Sequence, residues 1–237
     1  MKFRSLILLI LLSFPMLLSG QQFQDWLNDH SVPLSLPHPT FDLQEFDALG
    51  SSLKDAEVIA LGDATHGTRE FNQMKYHLIR FAVEHLGIRL IVLEEGFVEC
   101  LAINQYLQSG RGSVETALDL LSVWAWKTEQ MKNLVEWMRR WNMGHPNDPV
   151  AFYGMDMQSF KSPANLLVEY SIKRSPDLFL THRELLDSLL NSSGDQLSPK
   201  LARNLAHQTQ ALISDLRVGA FGADELGYAD RNHLLMA

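Results

Sequence analysis

Residues 57–93, EVIALGDATHGTREFNQMKYHLIRFAVEHLGIRLIVL, decide how this chain is read. Glu57-Val58-Ile59-Ala60-Leu61 and Arg89-Leu90-Ile91-Val92-Leu93 are short β-branched and apolar runs. Between them, Thr68 to Leu86 sets Phe71, Met74 or Lys75, Leu78, Ile79 and Ala82 at helical spacing, and Gly87 stands where such a helix ends. A strand, a helix and a strand over this length form a βαβ unit, whose crossover is almost always right-handed and leaves the strands parallel. Pro149-Val150-Ala151-Phe152-Tyr153 is a third run of the same kind. Each run reads as a strand with both faces buried, so the expected fold class is α/β, a parallel β-sheet core flanked by helices.

Outward from this unit the chain is helical in pieces. Ser113 is placed to cap a helix running to about Leu121, and Thr128 to cap one whose Met131, Leu134, Val135, Met138 and Trp141 share a face. Trp124 and Trp126 lie in the link between them and read as core, with a ligand platform as the alternative. After Phe160 no strand-like run follows. Leu178 to Leu190 and Leu201 to Leu216 are helical by period, the second opened by Ser198-Pro199, with Asn191-Ser192-Ser193-Gly194-Asp195 as the loop between them. Residues 161–229 are therefore expected to form a mainly helical subdomain of one domain, 21–237. Residues 21–48, with Pro33, Pro37 and Pro39, read as an arm on its surface. Asp230 to Ala237 opens another helix without a Gly, Asn or Pro terminator, so the domain is expected to be incomplete at its C-terminal end.

The first 20 residues hold Lys2 and Arg4, an apolar stretch from Leu6 to Leu18 broken by Pro15, and a small-residue exit at Ser19-Gly20. This is the layout of a secretory signal peptide, and the run is short for a membrane anchor. The expected product is exported, periplasmic or extracellular, with no membrane association after cleavage. Of 237 residues 20 are basic and 28 acidic; without the leader 18 basic face 28 acidic, a net charge of −10. Nucleic acid is excluded as a partner by that sign, because phosphate binding draws on an excess of Lys and Arg. Composition leaves the oligomeric state open. The single cysteine, Cys100, has no internal disulfide partner and reads as a small buried hydrophobe.

Ligands of parallel sheets sit beyond the carboxyl ends of the strands. Here the three runs exit into Gly62-Asp63-Ala64-Thr65-His66-Gly67-Thr68-Arg69-Glu70, Glu94-Glu95-Gly96, and Gly154-Met155-Asp156-Met157-Gln158. Asp63 and His66, three residues apart, face the same side if the turn is helical. A carboxylate on one imidazole nitrogen fixes the tautomer and raises the basicity of the other, as a base acting on water requires. Glu94 is placed to hold that water or to orient the ring. The bland alternative leaves Asp63 and Thr65 as caps and His66 as a solvated loop residue. A divalent cation on Asp63, His66 and Glu94, with or without Asp156, is the minority reading, since no HExxH or CxxC spacing supports it. No Gly-x-Ser-x-Gly elbow is present, Gly110-Arg111-Gly112 is too short to cradle phosphate, and Cys100 has no nearby base, which removes serine, cysteine and P-loop enzymes.

Four ordered segments resemble the signatures of the erythromycin esterase family: Ala60 to Phe71, Leu93 to Phe97, Trp124 to Glu129, and Phe152 to Gln158. The resemblance implies hydrolysis of a carboxylic ester, in named members a macrolactone, by a histidine that activates water with no covalent intermediate and no cofactor. His66 matches that histidine and Glu94 its acidic partner. Asp63 stands where the family usually has glutamate, and Lys75 where some members have arginine. Arg69, Lys75, Asp156 and Gln158 are then candidate substrate-binding or supporting residues. Family members continue into a further strand bearing a histidine, for which neither His207 nor His233 is in a matching motif. A metal-dependent hydrolase at the same rim and a non-catalytic ligand-binding homologue are the alternatives.

Overall fold

The computed structural model describes residues 20–35, 37–38, 40–62, 64–157, 159–192 and 197–221. The chain divides into two compact units, Met1–Ala60 and Leu61–Ala237.

In the first unit residues 20–30 are helical (α1), followed by a 3-10 turn, Leu43–Phe46, and α2, Asp47–Leu53. The Asp42 carboxylate accepts from the Gln44 N–H at 3.0 Å, satisfying a donor at the start of the turn. Phe41 and Phe46 are buried, with ring centroids 5.0 Å apart.

The second unit is mostly helical around a two-stranded parallel sheet. It begins with α3, Arg69–His85, which leaves Thr68 as N-cap residue and stops before Gly87. Strand β1, Leu90–Gly96, pairs with β2, Ala151–Asp156, in the register Leu90↔Ala151 to Leu93↔Gly154. The crossover carries α4 (Phe97–Ser109), α5 (Val114–Asp119), a 3-10 turn (Trp124–Trp126) and α6 (Glu129–Gly144). Both expected caps are made: Ser113 Oγ accepts from Thr116 N–H and Thr128 Oγ1 from Met131 N–H, each at 3.2 Å. Cys100, Ile103 and Leu107 of α4, with Leu134, Val135 and Met138 of α6, pack beneath Val150 and Phe152.

Two readings of the strands are corrected. Residues 57–61 form no strand among the described residues; Val58 is 83% exposed, and the division between the units falls after Ala60. Val and Ile supply side chains suited to a sheet, but a strand exists only through hydrogen bonds to a neighbour. The parallel pair is therefore β1 with β2. Nor are both faces of β1 covered: Leu90 is 53% and Val92 42% exposed, whereas Ile91 and Leu93 join the core.

Between Leu93↔Gly154 and Gly96↔Asp156 the register shifts, so Glu94 and Glu95 stand against Met155 alone. Such a bulge bends a strand and re-aims its side chains. Gly154 permits it, because a Cβ there would overlap the backbone of Glu95 and Gly96. At the opposite end, Asn142 pins β2: its Oδ1 accepts from Val150 N–H at 2.7 Å and its Nδ2 donates to Val150 O at 2.9 Å.

Beyond the sheet lie α7 (Lys161–Arg174), α8 (Pro176–Thr181), α9 (Arg183–Leu190) and α10 (Pro199–Phe221), around a core of Ala164, Leu167, Leu185, Leu186, Leu189, Leu205, Leu212 and Leu216. The expected helix from Leu178 to Leu190 is two helices. His182 leaves helical geometry at their junction and its Nε2 lies 2.9 Å from Asp215 Oδ2 of α10. Ser198 caps α10, with Pro199 as its first residue, as the sequence predicts. No helix among the described residues is long and apolar enough to cross a membrane. Residues 1–19 of the expected leader, 1–20, and the final stretch from Asp230 lie outside the described residues.

Candidate active site

The carboxyl end of β1 is joined to the turn before α3 by the segment Ser122–Trp126. From below, Glu95 holds this segment. Its side chain is fully buried, and Oε1 accepts from the Ser122 hydroxyl at 2.5 Å and from Gly96 N–H at 2.7 Å, while Oε2 accepts from Val123 N–H at 2.8 Å. The Trp126 indole N–H donates to Glu94 O at 3.0 Å, and Lys75 Nζ sits 5.5 Å from the centre of that ring. Trp124 turns the other way, against Gly67: a Cβ there would stand 3.0 Å from Trp124 Cζ3. Gly67 also has φ +77°, so a side chain is disfavoured twice over, by conformation and by the ring. Thr65 and Thr68 close the turn with their hydroxyls 2.5 Å apart.

Of the candidate residues, His66 lies on this exposed turn and Arg69 is the exposed first residue of α3. Lys75 is half-buried above Trp126. Glu94 is exposed at the bulge. Asp156, half-buried at the end of β2, pairs with Gly96 and accepts from Met157 N–H at 2.7 Å. Asp63 and Gln158 lie outside the described residues. One 3-10 turn thus reaches Glu94 through Trp126 and the residue after His66 through Trp124. Arg69 is not tied to it by any described contact.

The expectation that both tryptophans are core holds for Trp126, 8% exposed, and is corrected for Trp124, 70% exposed. Spacing explains the split: in a turn of three residues, neighbours two apart leave on different sides. Glu95 was missed as a functional candidate. The signal available was strand alternation, which puts residue 95 on the face of Ile91 and Leu93, with a charge that needs partners there. Cys100 is buried beside it, and burial pushes its thiol up to about 12, with the charges of Glu95 and Glu99 adding to the effect. The thiol stays protonated and is no nucleophile. Among the described residues no three His, Cys, Asp or Glu side chains stand close enough to hold a metal ion.

The model of the erythromycin esterase family matches residues 83–233, well over half the chain. The chain belongs to the erythromycin esterase family. The matched stretch contains Glu94, Glu95, Trp124, Trp126 and Asp156, and begins after His66 and Lys75. Among curated relatives, the type II erythromycin esterase of Escherichia coli is 29% identical over 136 residues, 57% of this chain and 32% of the relative. The putative hydrolase YbfO of Bacillus subtilis (strain 168) is 27% identical over 156 residues, 65% of this chain and 34% of the relative. The chain thus spans about a third of the length of these relatives. A Bacillus cereus protein of known structure superposes with a TM-score of 0.73 at 23% identity, over 91% of this chain and 54% of that one. A mutant of erythromycin esterase EreC in its open conformation gives 0.59 at 18% identity, over 79% and 48%. At these identities the two structures establish a shared fold. In this family member the bulge of β1, the Trp124–Trp126 turn and the turn bearing His66 lie side by side.

Proposed function

We propose that the protein is a hydrolase of carboxylic esters or macrolactones in which His66 activates water. The observation that carries this reading is the shared 3-10 turn: Trp124 abuts Gly67, next to His66, while Trp126 bonds to the backbone of Glu94. Relatives named erythromycin esterases support ester hydrolysis as the reaction type. In the proposed reaction the imidazole of His66 takes a proton from water as its oxygen attacks the ester carbonyl carbon. The tetrahedral adduct then expels the alkoxide, breaking the ester C–O bond, and the imidazolium returns the proton to it. The products are an acid and an alcohol, and no bond to the enzyme forms. Glu94 and Asp63 orient water and ring, and Arg69, Lys75, Asp156 and Gln158 bind substrate or support the site. No metal is assigned to the reaction, and export is assigned to residues 1–20.

Replacing His66 with Ala in the full chain tests this. General bases contribute roughly 10²- to 10⁴-fold to rate, so hydrolysis of the best ester falls by about that factor, with the thermal transition unmoved. A variant that cleaves the ester at the wild-type rate overturns the assignment. Wild-type activity that disappears on chelation and returns with a divalent ion removes the metal-free mechanism.

A further inference from the structure

Glu95 is a fully buried charge where the strand pattern calls for an apolar side chain like Ile91 and Leu93. A buried carboxylate costs several kcal/mol unless it is paired or fully hydrogen-bonded, and an apolar residue of similar volume is often as stable or more so. Within β1 the carboxylate serves a single donor, the Gly96 N–H, which is a small return for burying a charge. Ser122 Oγ, Val123 N–H and Gly96 N–H converge on its two oxygens, and two of the three belong to the segment that leads directly into Trp124. Only a carboxylate accepts at both atoms: a glutamine would turn its amide N–H toward either Val123 N–H or Gly96 N–H.

What that anchor controls is the direction in which Trp124 leaves the chain. The ring is 70% exposed yet rests on Gly67, beside His66. Its sister Trp126, held by Glu94 O and covered by Lys75, fixes the far end of the same turn. The turn that carries this large exposed indole is held at both ends, so its backbone has little freedom left to lose when a ligand lies on the ring.

We propose that Glu95 is a positioning residue for the ester site, fixing Ser122–Trp126 so that Trp124 forms an apolar wall beside His66 and selects esters that present a broad apolar face next to the scissile bond. This rests on the ester-hydrolase reading, and its test separates the two. In the full chain, Glu95→Gln and Trp124→Ala are compared by amide and indole NMR. The Gly67 amide, shifted by the Trp124 ring current, moves in the same direction in both variants, and the Trp126 indole N–H loses exchange protection in Glu95→Gln. Selectivity for a bulky cyclic or aryl ester over an acetate ester, as a ratio of kcat/KM, falls by about 10- to 200-fold in both, the range for one apolar contact. The fall in Glu95→Gln is carried by KM for the bulky ester.

A Gly67 signal unchanged in Glu95→Gln, with only a lowered melting temperature, overturns the proposal and leaves Glu95 a purely structural group. So does unchanged selectivity alongside a moved signal. Should Glu95→Gln not fold, Ser122→Ala removes one of the three bonds and is read by the same Gly67 shift. If the wild-type protein turns over no ester, the function reading fails while the NMR comparison still decides whether Glu95 mounts Trp124.

Discussion

The two apolar cores of the second unit are built on different principles. The core under the sheet is threaded with polar side chains. Asn142 brackets Val150, Asn104 accepts from Phe152 N–H at 3.1 Å, Gln108 donates to Val150 O at 3.1 Å, and Glu95 gathers the rim. The core among α7, α9 and α10 is Leu and Ala, with Ser171 as its buried polar residue among the described residues. Helices satisfy their own backbones, so burying a leucine stripe suffices to assemble them. A strand pair leaves donors and acceptors facing outward, and these are met by side chains from distant helices. The sheet core is consequently specified in position, and it is the one that carries the candidate site.

The largest effects come from deleting the bulk of each core. Phe152 and Leu186 are both fully buried. Phe152→Ala is expected to cost about 3–5 kcal/mol and Leu186→Ala about 2–5 kcal/mol by denaturant unfolding, a similar loss. What separates them is the rim. Phe152→Ala also loosens the Trp126 indole N–H in hydrogen exchange, through β2 and the bulge, whereas Leu186→Ala leaves that signal in place. If both variants loosen it, the two cores are one cooperative body and the contrast is lost.

A polar deletion sharpens the contrast at smaller magnitude. Asn142→Ala leaves Val150 N–H buried without its acceptor, which costs about 1–3 kcal/mol. In the other core, Ser171 Oγ is buried with no hydrogen-bond partner among the described residues, so Ser171→Ala is expected to lie within about 1 kcal/mol of neutral, or to stabilise. Paired urea titrations check both. A costly Ser171→Ala contradicts the view that the interior of this core is held by apolar packing.

This difference also governs how much of the fold is legible in the sequence. The helices α3, α5, α6 and α10 are legible because their signals are local: Gly87 follows the end of α3, Ser113, Thr128 and Ser198 cap the other three, and the apolar stripe of Met131, Leu134, Val135 and Met138 marks the buried face of α6. Run 57–61 suits a strand by composition yet forms none among the described residues, because composition reports what a segment suits, whereas pairing depends on a neighbour elsewhere in the chain. Asn142, Asn104 and Gln108 gave no signal, since a polar residue on a helix looks the same whether it meets water or a strand end. At the site, His66 and Glu94 were found through motif resemblance. Glu95, one residue on, needed the buried face of β1 to be known before its charge became informative.

The smallest expected effect is acid sensitivity confined to the sheet region. Arg89 grips Asp148 with two hydrogen bonds, 2.7 and 2.5 Å, donates to Val83 O and Ile88 O, and lies 5.2 Å from the Trp141 ring centre. Those hydrogen bonds, then the positive charge, hold the Asp148 carboxyl below its ordinary value. Lys132, 2.7 Å from Glu115, does the same between α5 and α6. A carboxylate whose folded pKa lies below its unfolded one adds stability that is fully present above the unfolded value and is lost as pH falls through the folded one. In both pairs the carboxylate is exposed and its partner half-buried, so salt screens them and their share is small. Thermal unfolding followed downward through the carboxylate range at low salt should therefore show a decline that is shallower in an Arg89→Gln, Lys132→Gln double variant and shallower in high salt. The same titration read by hydrogen exchange should loosen amides of β1, β2, α5 and α6 before those of α9 and α10. Equal loosening of both regions, or a slope untouched by the double variant, means that these two pairs do not set the acid limit.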